Sequence, residues 1–169
     1  AYDSTLAMAK HVRQQTELYV SVILGPHPAI LPHLAKKFTE SDISNPLERA
    51  HEVHTLGVEI AAQYIVERKA VGIGEIGRPH WPISNQVSEM CELAFSEALG
   101  IAKEVDTVVQ LHVEGGGEEV YQKLEPLISD SSLDIQNVIR HHAPPMIGRE
   151  TCGLIPSIVL GKNDLNQMI

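Results

Sequence analysis

The sequence predicts an α/β fold built on a parallel β-sheet, either a barrel or a doubly wound sheet. Three short runs rich in Val and Ile read as buried strands, and they lead into Glu75, His112 and the pair His141–His142. Segments with helical spacing separate these runs in steps of about 30 residues. Because strand–helix–strand units place their strands parallel in one sheet, these observations together indicate the fold class.

The first half of the chain contains two predicted helices and the first strand. Residues 5–15 look helical, and residues 18–24 form an apolar strand that ends at a Gly-Pro-His-Pro turn. A long helix begins after Asn45, whose side chain suits the capping position. Pro46 fits the first helical position, and Glu48 is placed to complete a capping box. A helix is therefore expected on each side of the first strand.

The second half continues the alternation. Ser84 is expected to cap a helix that ends near Glu104, and residues 118–128 form a helix after a glycine-rich turn. Residues 154–159 form a last strand, and the residues from Asn163 onward resemble the beginning of another helix. Without a linker or repeat, the whole 169-residue chain is interpreted as one domain.

Composition disfavours several classes of protein. The net charge of −9 and the aromatic content of 4% argue against a protein that coats nucleic acid through a basic surface, although a nuclease can neutralise phosphate with bound metal ions. No apolar run approaches the roughly 20 residues of a membrane-spanning helix, and the first residues lack the pattern of a signal peptide. With only two cysteines, we expect a cytoplasmic protein without a disulfide framework or membrane partner.

Glu75, His112 and the pair His141–His142 all end predicted strands. In βα proteins, active sites are built at the carboxyl ends of parallel strands. One carboxylate and two imidazoles at that edge are suitable ligands for a divalent metal ion. Since neighbouring residues of a strand face opposite ways, only one of His141 and His142 can point into the site. The sequence therefore predicts a metal centre of the kind found in metallohydrolases.

Residues 72–77 match the G-x-G-x-x-G fingerprint of dinucleotide-binding proteins, but their context is wrong. The mechanism requires the glycines to turn directly into a helix whose N-terminus faces a pyrophosphate. Here Glu75 would place a carboxylate against the phosphates, and Pro79 and Pro82 oppose a continuous helix. Dinucleotide binding is therefore disfavoured.

Two other groups of residues have simpler interpretations. His51 and His54 lie three residues apart on a predicted helix, but the H-E-x-x-H spacing of zinc proteases is absent, so they are read as solvated helix surface. Cys91 and Cys152 are read as small buried residues rather than nucleophiles.

Three segments carry a family resemblance. They are Val-Gly-Ile-Gly-Glu-Ile-Gly-Arg-Pro-His-Trp-Pro (71–82), Val-Gln-Leu-His (109–112) and Arg-His-His-Ala-Pro-Pro (140–145). These segments resemble the TatD-related metal-dependent hydrolases, in particular an archaeal-type branch of that family within the amidohydrolase superfamily. Residues 24–28 resemble the Gly-x-His-Pro turn of the family, and residues 152–157 resemble its seventh strand. The likeness keeps its order over most of the chain.

The resemblance implies a TIM-type (β/α)8 barrel with one or two divalent metal ions. Glu75 would be the catalytic residue and a metal ligand, often a bridging one, and His112 and His141 would be ligands from the next two strands. Histidine ligands favour zinc, whereas the carboxylate leaves manganese or magnesium open. The other polar residues near the strand ends are expected to bind substrate or to support the ligands: His27, Arg78, His80, Glu114 and His142.

The sequence also departs from the family pattern. It has neither the His-x-His of the first strand nor the Asp that ends the eighth strand, and a complete barrel usually needs about 250 residues. We therefore expect an incomplete barrel that comprises about strands three to seven. Its exposed sheet edges, residues 18–24 and 154–159, are expected either to contact a second copy of the chain in a homo-oligomer or to be covered by further residues of a longer protein.

Two classes of function follow from the resemblance. The first is hydrolysis of a phosphoester, DNA included, or of a related ester or amide, in which metal ions polarise the scissile oxygen and acidify a bound water. The second is a non-catalytic remnant of the same fold that binds metal or a partner. An upstream His-x-His and a downstream Thr-Asp segment in the reading frame would favour the enzyme.

Overall fold

The computed structural model of the chain describes residues 1–159, in which five α-helices and five strands occur. The helices are α1 Tyr2–Gln15, α2 Ile30–Glu40, α3 Pro46–Val66, α4 Asn85–Glu104 and α5 Glu118–Asp130. The strands are β1 Ile23–Leu24, β2 Gly72–Gly77, β3 Val108–His112, β4 Val138–Ala143 and β5 Ile155–Ile158. Short 3-10 turns, Ile135–Asn137 and Arg149–Thr151, precede β4 and β5.

The five strands form one parallel sheet in the order in which they occur along the chain. A doubly wound sheet reverses its strand order at a switch point. A barrel does not, because each strand pairs with the next one around the axis. The observed order therefore favours the barrel between the two alternatives that the sequence leaves open. Within residues 1–159, β1 and β5 each have a single strand neighbour.

The two faces of the sheet differ in burial. On β3, Val109 and Leu111 are fully buried and belong to the same core as Phe95 of α4. Gln110 and His112 alternate with them and are partly exposed on the opposite face. The strands thus place apolar side chains against the helices and polar side chains on the face that carries the predicted site.

The sequence prediction lacks α2. Its residues Leu31, Leu34 and Phe38 recur at helical spacing and pack in a second core with residues of α3 and α4. Pro32 interrupts the pattern, but it lies in the first turn, where the backbone N–H has no intrahelical partner and a proline is tolerated.

Most of the predicted strand at residues 18–24 is not a strand. Only Ile23 and Leu24 pair with β2. The neighbouring strand begins at Gly72, and the residue before it, Val71, donates its N–H to the carbonyl oxygen of Val22 at 2.8 Å, so strand pairing does not extend back to Leu18. The carbonyl oxygen of Val20 instead accepts a hydrogen bond from the Arg13 side chain, and Tyr19 is 92% exposed. The apolar run from residue 18 to residue 24 is therefore longer than the strand, because the length of a strand depends on pairing with its neighbour and not on hydrophobicity alone.

The helix starts predicted after Asn45 and Ser84 are correct, whereas the first helix begins at Tyr2, three residues before its predicted start, and only Ser84 acts as the predicted cap. Ser84 accepts a hydrogen bond from the Val87 N–H at 3.4 Å. Asn45 precedes α3, but its side chain makes no capping hydrogen bond, and its backbone is left-handed with φ of 51°. The predicted helix from Asn163 lies outside the described residues. Within residues 1–159, no helix combines the length and apolar character needed to span a membrane.

The sequence predicts that His54 lies on the solvated surface of α3, and this prediction is wrong, because His54 lies in the interior. It is 4% exposed, because α3 packs against both α2 and α4 and more of its circumference is covered. Burial lowers the pKa of His54 to about 4, and the charge of His51 lowers it further against the opposing effect of Glu97.

Burial of His54 predicts a loss of stability in mild acid. Above a pH of about 6.5 the ring is neutral in the folded and unfolded chain, so it has no effect on stability there. Between that pH and about 4, the unfolded chain takes up the proton and the folded chain does not, so folding weakens by about 3 kcal/mol. Urea unfolding measured across this range should show that His54→Leu loses less stability than the wild type.

The exposed His11 provides the control for this measurement. His11→Leu should leave the pH dependence unchanged. Parallel losses of stability in the wild type and in His54→Leu would contradict a buried neutral imidazole.

Candidate metal centre

Glu75, His112 and His141 meet at the carboxyl end of the sheet. Nδ1 of His112 lies 3.0 Å from one carboxylate oxygen of Glu75, and Nε2 of His141 lies 3.1 Å from the other. The side chains are 27%, 24% and 23% exposed, respectively, so all three are partly shielded from solvent and still reachable. The structure therefore brings together the three residues that the sequence assigns to the site from β2, β3 and β4.

The interruptions of strand register within the described sheet occur at these residues. The pairing of β2 with β3 shifts at Glu75, where the Gly74–Glu75 peptide bond is cis. The pairing of β4 with β5 shifts at His141 and His142. Bulges re-aim side chains and are frequent next to active sites. At these bulges the regular alternation of side chains along β2 and β4 is interrupted, and here Glu75 approaches the imidazoles of His112 and His141.

Gly77 allows the end of β2 to lie directly against His112. A Cβ atom on Gly77 would stand 2.1 Å from the carbonyl oxygen of His112, and the backbone has φ of 145°. Only glycine adopts this conformation without strain. The next residue, Arg78, donates its backbone N–H to the same carbonyl oxygen at 3.3 Å. Gly77 thus fixes the spacing between β2 and β3 at the edge where the site lies.

Gly77→Ala should destabilise the fold by on the order of 3 kcal/mol, because both the steric contact and the backbone conformation oppose a side chain. Thermal unfolding measures the change. Gly100 of α4 is the matched control, since a Cβ there would meet nothing within 4 Å. Gly100→Ala should stabilise the protein by about 1 kcal/mol. Equal stability of Gly77→Ala and the wild type would contradict the close approach of the two strands.

His27 approaches the centre from the turn after β1. Its Nε2 lies 3.9 Å from Glu75, its ring centroid lies 4.4 Å from that of His112, and ligand atoms of the three residues all lie within 4.8 Å of one another. Its Nδ1, however, accepts a hydrogen bond from the Ala29 N–H at 3.1 Å. A backbone N–H can only donate, so the proton of this imidazole is on Nε2. His27 therefore faces the centre with a hydrogen-bond donor and not with a free nitrogen lone pair.

His112 and His141 face Glu75 with nitrogens that suit a metal ion better than the Nε2–H of His27. Among the described residues, however, the ligand atoms that all lie within 4.8 Å of one another are those of His27, Glu75 and His112, and His141 is outside this group. Nδ1 of His141 lies 3.4 Å from the side-chain amide of Gln110, which can donate through nitrogen or, after a flip, accept through oxygen. Nε2 of His141 can thus carry either a proton or a metal ion. Burial lowers the pKa of His112, as does the neighbouring His27, against the opposing effect of Glu75. This favours the neutral imidazole, the form that binds metals.

The donor set fits a divalent cation. Two imidazoles with adaptable nitrogens flank a carboxylate whose two oxygens face different histidines. Zinc accepts nitrogen and carboxylate ligands together, and a carboxylate can bridge two ions.

His80 and His142 lie at the periphery of this cluster. The ring centroid of His80 is 5.1 Å from that of His112 and 5.4 Å from that of Trp81, and its side chain is exposed. His142 is exposed, and its ring packs edge-on against His141 at 4.1 Å. The structure places His141, not His142, beside Glu75, and of these two alternatives His141 is the one that the family resemblance favours.

Arg78 and Glu114 form an ion pair beside the centre. Two nitrogens of Arg78 donate to the two oxygens of Glu114 at 2.9 and 2.8 Å, and a third lies 3.6 Å from Glu92. Burial alone would raise the pKa of Glu114, but the bonds from Arg78 lower it. Since both prongs of the guanidinium are engaged within the protein, Arg78 can bind a substrate anion in the predicted way only if this pair opens.

Comparison with known proteins places this geometry in a family. The family profile described as TatD related DNase matches residues 2–155. The chain belongs to the TatD-related DNase family. It is also similar to an uncharacterized protein of Methanocaldococcus jannaschii, with 28% identity over 153 residues that cover 89% of this chain and 52% of the relative. The chain thus spans about half the length of the curated relative that it matches.

Membership in the TatD-related family confirms the resemblance and the fold class that the sequence predicts. The family fold is a TIM barrel, and the five described strands follow one another in barrel order. The family is metal-dependent, and the structure contains a group that could hold a metal ion, formed by His27, Glu75 and His112. The individual roles of Glu75, His112 and His141 stay predictions.

Two residues near the centre are missing from the sequence prediction. Gln110 contacts His141, and its position two residues before His112 on β3 was the available sign that both share a face. Arg140 is 1% exposed, directly before His141. A charged residue within an apolar strand run was the available sign that it has buried partners.

Proposed function

We propose that this TatD-related protein takes part in divalent-metal-dependent hydrolysis of phosphoesters, with DNA as the leading substrate class and other phosphoesters or related esters and amides as further members. The observation that carries the proposal is the carboxylate of Glu75, held at the sheet edge between His112 and His141. The family name, TatD related DNase, supports the reaction class.

Glu75, His112 and His141 are the residues that would hold one or two metal ions. Such an ion supplies Lewis-acid chemistry, because it withdraws charge from a phosphoryl oxygen and acidifies water. Zinc is favoured by the imidazoles, and the carboxylate also suits manganese or magnesium.

The protein's other side chains would bind and orient the substrate. His27 faces the centre with an Nε2–H donor that suits a phosphoryl oxygen. His80 is exposed, with its ring centroid 5.1 Å from that of His112, and in this proposal it reaches the same ligand. The chain carries a net charge of −9, so attraction of an anionic substrate depends on these local donors and on bound cations.

Hydrolysis of a chromogenic phosphodiester and of single-stranded DNA, each with zinc, manganese or magnesium, tests the proposal. Metal-dependent release of product supports it. Tight metal binding without turnover of any phosphoester would instead favour the non-catalytic form of the fold.

We also propose self-association through the outer strands of the described sheet. Leu18, beside β1, is 66% exposed, and Ile155 of β5 is 45% exposed, so each edge combines unpaired backbone with apolar surface. Light scattering on the 169-residue protein should therefore report a mass above 18.6 kDa. Replacing Leu18 by Lys should lower that mass if the β1 edge mediates the contact. A monomer at all concentrations would contradict this proposal.

A further inference from the structure

Arg140 is a buried cation on the side of β4 opposite His141. It is 1% exposed, and its guanidinium carbon lies 4.5 Å from the centroid of the Tyr121 ring. A buried guanidinium is costly unless its N–H groups have partners. Three backbone carbonyl oxygens accept its hydrogen bonds: Glu114 at 3.1 Å, Gly116 at 2.9 Å and Gly117 at 3.5 Å.

The carbonyls that Arg140 binds belong to one short loop, residues 114–117, between β3 and α5. Three consecutive glycines give this loop high conformational entropy in the absence of fixed partners. A Cβ on Gly115 would meet nothing within 4 Å, so packing on that side does not hold the loop. Arg140 restrains the loop through bonds to three carbonyls within four residues, and the Gly117 N–H adds a bond to the side chain of Glu119 at 2.9 Å.

The loop also carries Glu114, the partner of Arg78. The two guanidinium groups thus bind the same residue at different atoms: Arg140 the backbone oxygen and Arg78 the carboxylate. Through Glu114, the position of Arg140 on β4 is linked to the segment that follows β2. This segment contains His80 and lies beside the metal centre.

We propose that Arg140 is a positioning residue. It holds the 114–117 loop in place and, through the closed Glu114–Arg78 pair, also holds the segment that carries His80, so that a phosphoester meets His80 in a preformed position at the rim of the site. This inference rests on the proposed function. Because Arg140 contacts the loop and not the metal-ligand atoms, its loss should weaken binding of the substrate anion and leave metal affinity unchanged. Ordering a loose glycine loop during binding would reduce affinity.

Arg140→Lys is the decisive variant, since it keeps the charge but cannot reach three carbonyls at once. Hydrogen exchange at residues 114–117 should become about tenfold faster, and the Kd of inorganic phosphate for the zinc-loaded protein should rise by about tenfold. The Kd for zinc should not change. If a phosphodiester is cleaved, KM should rise while kcat stays similar. Arg149→Lys, at an exposed arginine, is the matched control and should leave each quantity unaltered.

Several results would overturn the inference. A lower melting temperature of Arg140→Lys with unchanged phosphate affinity would show a purely structural role, and weaker zinc binding would show that Arg140 acts through His141. In the wild-type protein, exchange of the amides of residues 114–117 at the rate of an unstructured chain would by itself show that Arg140 does not hold the loop. Absence of catalysis in the wild type would defeat the proposed function, while the exchange and phosphate measurements would still decide the role of Arg140.

Discussion

Glu75→Gln should lower kcat/KM of the metal-loaded protein by about a thousandfold or more while the fold survives. The substitution keeps the volume of the side chain but removes its negative charge. One oxygen of Glu75 hydrogen-bonds to Nδ1 of His112 and the other lies 3.1 Å from Nε2 of His141, whereas glutamine offers one oxygen and one N–H group. One imidazole would then face an N–H group, and the set would lose its only carboxylate.

Initial rates at saturating metal, together with circular dichroism, measure this effect. Glu89→Gln, on the exposed surface of α4, is the matched control and should behave as the wild type. Undiminished turnover of Glu75→Gln would exclude Glu75 from the catalytic role.

Removal of divalent metal should reduce phosphoester hydrolysis to background, and addition of zinc, manganese or magnesium should restore it. The same metal should stabilise the fold, by about 2.7 kcal/mol at a hundredfold excess over its Kd. Bound metal replaces protons on the imidazoles, so its apparent affinity should fall as the pH falls. Activity that persists after elemental analysis shows a metal-free protein would contradict this prediction.

The adjacent histidines of β4 sharpen this experiment. His141→Gln should weaken metal binding strongly, because His141 lies 3.1 Å from Glu75. His142→Gln is the matched variant, because the His142 side chain is exposed and its ring packs edge-on against the ring of His141. It should change the metal Kd only slightly. The reverse order would assign the ligand to His142.

The sequence by itself determined the parallel α/β class, the strands that deliver Glu75, His112 and His141, and the rejection of a dinucleotide site. Each depends on local information. Short runs rich in Val and Ile mark the strands, and Gly72–Gly77 forms β2 without passing directly into a helix, since the next helix begins only at Asn85. The family motifs are also contiguous in the chain, so their resemblance could be recognised without coordinates.

The tertiary structure alone decided which nitrogen of His27 faces the centre, and which charges are already paired. The acceptor role of Nδ1 in His27 depends on the N–H of Ala29 in the turn that follows. The bond between Arg78 and Glu114 joins residues 36 positions apart in the sequence. The bonds from Arg140 to the glycine loop join residues 23 to 26 positions apart. The physical reason is that hydrogen bonds are directional contacts between specific atoms. A sequence pattern specifies which face a side chain lies on, but the bulges in β2 and β4 and the packing of neighbouring loops fix where its polar atoms point.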